Sequence, residues 1–301
     1  MHRTISIYLV LLTLSATVCL SKEEKRFTPL RPQILAAKTV FLSGGPPDVL
    51  DKANGALAKW GRFQIVSDPT QADVVFEFAY GPATTPGLWS ESLTITDARS
   101  KEVLYEDGRV MSPPSGAGPV IISAFRHYSM ARDMVKDLRK RIEATESART
   151  LEYTIQFETR AAKYFTDAAA LDEKLATVWP SSAESWKTNA IKDREFAEQL
   201  SKSKSEMTKF LGHATVDALL SKHSSEEVRK YRDEILAYTC SIVATQRKID
   251  RLVDSARADL SPEFIQTLNA ESADAAALSP DCSSELAIGL LKKQAGKPPS
   301  N

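Results

Sequence analysis

The sequence predicts an α+β protein: a small mixed β-sheet domain with two packing helices, followed by an antiparallel helical bundle. Three observations carry this. Short apolar runs broken by Gly and Pro fill the first half. Strand signals stop near residue 147. Beyond that point apolar residues recur at intervals of three and four. The expected domains are 36–146 for the sheet and 147–293 for the bundle, with 294–301 as a disordered tail.

The chain opens with a basic start at His2-Arg3, an apolar run from Ile5 to Leu20, and a charged stretch from Lys22 to Arg26. That order is a cleavable signal peptide over residues 1–21, with cleavage between Ser21 and Lys22. The apolar run is shorter than the roughly twenty residues that a bilayer span needs. A membrane tether follows only if the leader is retained or Cys19 is lipidated, and Val18 before Cys19 is not the small residue that a lipoprotein signal usually carries. The expected location is exported, periplasmic or secreted.

The first elements follow in order. Lys38 to Ser43 forms a buried strand stopped by Gly44-Gly45-Pro46-Pro47. Asp48 opens a helix with Leu50, Ala53, Leu57 and Trp60 on one side, and Gly61 ends it. Phe63 to Ser67 is a second strand. In Asp73 to Tyr80, Val74, Phe76 and Phe78 alternate with Val75, Glu77 and Ala79, a third strand with one apolar face. Leu93 and Ile95, then Val103 and Tyr105, make a hairpin around the polar turn 97–101. After a loop at 112–116, Val120, Ala124, Tyr128, Ala131, Val135, Leu138 and Ile142 form a helix that can cover the sheet.

The second half begins with a helical stripe of Tyr153, Phe157, Ala161, Tyr164, Ala168, Leu171, Leu175 and Val178. Trp179-Pro180 breaks it. Trp186 to Leu211 is a weaker stripe on a charged segment, stopping at Gly212-His213. Ser224 opens a third helix, in which Tyr231, Ile235, Tyr238, Ile242 and Ile249 recur as a heptad-like seam. Ser261-Pro262-Glu263 starts another, and 283–293 is the last.

The stretches Leu57–Ser67, Gln71–Phe78 and Leu93–Ala98 with Glu102-Val103-Leu104 resemble the small α/β amino-terminal domain of TolB-like and CsgG-like envelope proteins. They are also similar to uncharacterised exported proteins of soil bacteria. The resemblance covers about residues 36 to 145. It implies a non-catalytic envelope module that makes protein contacts. The chain departs from TolB-like proteins in lacking a propeller, and from CsgG-like proteins in its helical second half.

Lys and Arg number 39 and Asp and Glu 39. Removing residues 1–21 takes away Arg3 and no acid, leaving 38 against 39. Such a balance argues against a nucleic-acid binder. The sequence contains no Gly-x-Ser-x-Gly, His-Glu-x-x-His, phosphate-binding glycine loop or Gly-x-Gly-x-x-Gly. Beyond residue 21 the histidines are His127, His213 and His223, a thin supply for metal or general-base chemistry. No catalytic, cofactor or metal residues are therefore expected. Glu77 could act as a buried acid, or simply face solvent. Asp97 and Asp107 fall in turns, where Asp bonds local backbone. Lys136, Arg139, Lys140 and Arg141 suit the end of a helix, where cations meet its dipole. Cys240 and Cys282 are the disulfide candidates in an oxidising compartment.

The leading expectation is an exported, non-catalytic envelope or secreted protein that acts on a protein partner. Its alternatives are a small-molecule binder with the ligand between the two domains, and a hydrolase with an unfamiliar site.

Overall fold

Alternation in the strands and the absence of breakers in the longest helix set the architecture of the computed structural model, which describes residues 27–85, 88–111, 130–255 and 260–295. The leader 1–21, Cys19, Ser21, Lys22, His127, the loop 112–116 and the tail from 296 lie outside the described residues. Helices α1 (Pro32–Ala36) and α2 (Pro47–Trp60) join strands β1 (Thr39–Ser43), β2 (Gln64–Val66), β3 (Val74–Pro82), β4 (Trp89–Asp97) and β5 (Val103–Met111). Helices α3 (Ala131–Val178), α4 (Ala183–His213), α5 (Val216–Leu220), α6 (Lys222–Ser255), α7 (Pro262–Cys282) and α8 (Glu285–Ala295) follow. The fold class is α+β. Contacts divide the chain into a sheet unit, Thr28–Glu146, and a helical unit from Ser147 onward that also takes in Phe27.

In the sheet unit the strand order is β2-β1-β3-β4-β5. β1 is parallel to β2 and β3, and the remaining pairs are antiparallel. Val74, Phe76 and Phe78 of β3 share a covered face with Leu93 and Ile95 of β4. Val49, Ala53 and Leu57 of α2 and Met134, Leu138 and Ile142 of α3 close over it. Gly44 follows β1 with φ +71°, and a Cβ there would stand 2.3 Å from the Phe78 carbonyl oxygen. Only glycine fits that approach. Asp73 ties the ends of two strands together: its carboxylate accepts from the N–H of Lys38 (2.8 Å) and Thr39 (3.0 Å).

The sequence places a helix end before residue 147, and the structure corrects this. α3 is one helix of 48 residues, its first part in the sheet unit and the rest in the helical unit. The physical reason is plain: no Gly or Pro lies between Ala131 and Val178. The basic residues at 136–141 therefore sit along a helix, not at its end. Lys136 pairs with Asp133, Arg139 with Glu143, and the Arg141 guanidinium lies 5.8 Å from the Tyr105 ring centroid.

The core of the helical unit gathers Phe157, Ala161, Tyr164 and Phe165 of α3, Phe196 and Leu200 of α4, Ile235 and Leu236 of α6, and Leu278 of α7. Cys240 of α6 and Cys282 of α7 are joined by a disulfide, with Cα atoms 5.3 Å apart. Beside it Asp281 takes hydrogen bonds from the Tyr153 hydroxyl (3.0 Å) and from Arg160 (2.8 Å). Burial, then the Asp281 charge, pushes the Tyr153 hydroxyl up to about 12.

Candidate functional site

Two features stand out: polar groups sealed inside the helical unit, and an edge strand on the sheet unit. The seam of α3 in the helical unit runs Leu151, Thr154, Glu158, Ala161, Phe165, Ala168, Asp172, Leu175, with alternating steps of three and four. Every one of these is buried. The side chain at Glu158 is fully enclosed. One of its oxygens lies 2.7 Å from the Tyr231 hydroxyl, which is also 2.7 Å from Ser203 Oγ. The other oxygen has no hydrogen-bond partner. Burial pushes the Glu158 carboxyl up to about 7, and the Tyr231 and Ser203 bonds oppose that. Tyr231 is itself pushed up, by burial first and the Glu158 charge second.

Asp172 of α3 and Asp193 of α4 form an acidic pair. Asp172 is raised to about 7 by burial and by the charge of Asp193. Asp193 is raised to about 7 by burial, with Lys192 pulling the other way. A closed glutamate offers no face to a substrate, and its partners are the hydroxyls of a tyrosine and a serine. Among the described residues, no group of three or more His, Cys, Asp or Glu could hold a metal ion. Among the same residues, no helix is long and apolar enough to cross a membrane.

The sheet unit offers the other feature. One face is covered; the other carries a row set by register, Val66–Phe41–Val75–Thr96–Val103. Val103 keeps 44% of its surface exposed, and Val110, farther along β5, keeps 60%. Among the described residues β5 is a nine-residue edge strand, and the opposite edge, β2, has three residues. The Ala98 N–H donates to Asp73 and the Asp97 N–H to Glu102. Along β4, then, even-numbered residues bond toward β3 and odd-numbered ones toward β5. The register carries this to β5. Tyr105, Asp107, Arg109 and Met111 turn their main chain to β4, and Glu106, Gly108 and Val110 turn theirs outward.

The other sequence candidates fall into structural places. Glu77 is exposed on the open face of β3. Asp97 accepts from the N–H of Arg99 and Ser100, which holds its carboxyl low. Asp107 lies in β5, not in a turn; it pairs with Arg109, which also reaches Asp137 of α3. His213 is exposed at the end of α4, and the His223 side chain lies outside the described residues. Glu91 escaped the sequence reading altogether. It is fully buried on the covered face of β4 and accepts from the Met130 N–H at 2.6 Å, at the start of α3. There it meets the positive end of the helix dipole. Glu158 and Asp172 also went unseen, although their seven-residue spacing around Phe165 was present in the sequence.

In comparisons with known proteins, no family model and no curated protein sequence matches the chain. A solved structure to which it is similar is the dodecamer of a PelC point variant from Paraburkholderia phytofirmans. The identity is 11%, over 38% of this chain and 93% of that one, with a TM-score of 0.25. A likeness of that size carries no argument about activity.

Proposed function

We propose that the chain is an exported, non-catalytic envelope or secreted protein that works through protein contacts, with the sheet unit as the contact module. The β5 edge carries this reading. It is nine residues long, contains no Pro or Lys, and has exposed valines near both ends. Glu106, Asp107 and Arg109 put charge on the strand, but with no Pro its outward main-chain groups remain a template for another strand. The apolar row on the open face lies beside it and widens the same surface. The leader-like start and the resemblance to envelope modules support the exported location. So does the Cys240–Cys282 disulfide, since such bonds persist in oxidising compartments.

Photo-crosslinking tests the reading. A photoreactive residue at Val110 gives an adduct of defined mass from the exported chain, and one at Glu195, exposed on α4, gives none. Adducts absent at both Val110 and Val103 would overturn it.

A further inference from the structure

We infer that the partner at this edge is a second copy of the chain, with β5 paired antiparallel to β5 across a two-fold axis at Gly108. The inference rests on the protein-contact reading above and names its partner.

The register follows from the sequence of the strand. A two-fold axis normal to the sheet sets residues opposite one another in pairs of equal parity. Centred on Glu106, Asp107 or Arg109, it sets a charged side chain directly against its own copy, which is destabilising. Centred on Gly108, it sets Asp107 opposite the partner's Arg109, and the same pair occurs again on the other side of the axis. Tyr105 then meets the partner's Met111 on the covered side. Gly108 itself carries no side chain to crowd the axis.

The hydrogen-bonding pattern agrees. The groups that point outward belong to Glu106, Gly108 and Val110. In the Gly108 register these fall opposite one another, Gly108 on Gly108 and Glu106 on the partner's Val110. That makes roughly six new main-chain bonds, as hydrogen-bonded antiparallel pairs require. Arg109 already holds Asp107 and Asp137 at 2.8 and 2.7 Å, and so is fixed before the partner arrives. The opposite edge of the sheet is a three-residue strand. With one long edge per copy among the described residues, the pairing closes as a dimer and does not propagate.

Sedimentation velocity of the purified chain tests this. The wild-type chain sediments as a dimer in the micromolar range. Gly108→Pro removes an N–H that points away from β4, so the β4–β5 ladder survives. It deletes one bond from each copy and weakens association by roughly thirtyfold or more, with the circular dichroism spectrum unchanged. Gly108→Cys keeps the assay decisive if the proline variant does not fold, because a Cβ there meets nothing within 4 Å. Hydrogen-bonded pairs stand about 5.5 Å apart at Cα, within disulfide reach. Oxidation of the Gly108→Cys variant therefore gives a covalent dimer that reducing agent reverses. A monomeric wild type together with a Gly108→Cys variant that does not crosslink, or a dimer indifferent to Gly108→Pro, would overturn self-pairing. If Val110 then crosslinks to a different protein, the contact reading stands and only the partner changes. A monomer with no adduct of any kind sinks both.

Discussion

The two units place carboxylates in opposite settings. In the sheet unit, Asp68, Asp73 and Asp97 sit at turns and strand ends, where each accepts main-chain N–H groups. Those bonds favour the charged form, and all three carboxyls are held below the usual range. In the helical unit, Glu158, Asp172 and Asp193 lie in or beside the seam, and burial raises all three. A carboxylate at a turn organises backbone; one in a helical seam is tolerated by holding its proton. These two sets of carboxylates therefore contribute to stability with opposite dependence on pH.

The largest test separates the units covalently. The disulfide joins residues 42 apart in the helical unit, and residues 28–146 contain no cysteine. Loop-closure entropy makes the bond worth about 4 kcal/mol. Reduction, or Cys240→Ala with Cys282→Ala, lowers hydrogen-exchange protection in α6 and α7 by that order. Protection in β3 and β4 stays the same. A uniform drop across both units would show that they unfold together, and the comparison would fail.

Much of the sheet unit was legible because apolar alternation there is unbroken. Val74, Phe76 and Phe78 declare their face without reference to any other element, and Gly44-Gly45 and Gly61 mark real turns. α1 was missed because five residues give too short a period to detect. The helical unit was legible only in outline. The apolar stripe from Phe157 to Leu175 is buried as its spacing predicts, and only its ends stray: Tyr153 is half-buried and Val178 is 42% exposed. The seam passes through Thr154, Glu158 and Asp172, which an apolar search skips. Their burial depends on Tyr231, Ser203 and Asp193, which come from other helices, and the linear sequence does not say which helices meet. The Gly108 register was hidden for a similar reason. It needs the knowledge that β5 is an edge and which of its main-chain groups face out.

The next effect comes from Glu158. Its carboxyl titrates at about 7 in the folded chain against 4.5 when exposed. The folded state keeps a proton that the unfolded state releases, so stability is full below pH 4.5 and falls as pH rises through 7. The gap between those two values is worth roughly 3 kcal/mol. Glu158→Gln keeps an acceptor for Tyr231 and removes the titration. It stabilises the helical unit at about pH 8 by up to roughly that amount and changes little at about pH 4.5, as denaturant melts at the two pH values would show. Equal effects at both would mean that the wild-type charge is already compensated, and the contrast between the units would lose its main support.

The smallest effect lies at the other pH limb, in the sheet unit. One oxygen of the Asp73 carboxylate, Oδ2, accepts from both the Lys38 and the Thr39 N–H, and those N–H groups are the largest cause of its lowered pKa. Here the folded value lies below the unfolded 3.8. The stabilisation is present above that value and is lost as pH falls through the folded one. Asp73→Asn leaves one neutral acceptor and costs about 1 kcal/mol at neutral pH. Below the folded pKa the variant and the wild type converge. The protection of β1 and β3 amides at neutral pH and along an acid titration measures both. If the loss persists undiminished in acid, the side chain acts through packing and not through its charge. If it vanishes, the two units are shown to use carboxylates in opposite senses: Asp73 because it is charged, Glu158 in spite of being able to charge.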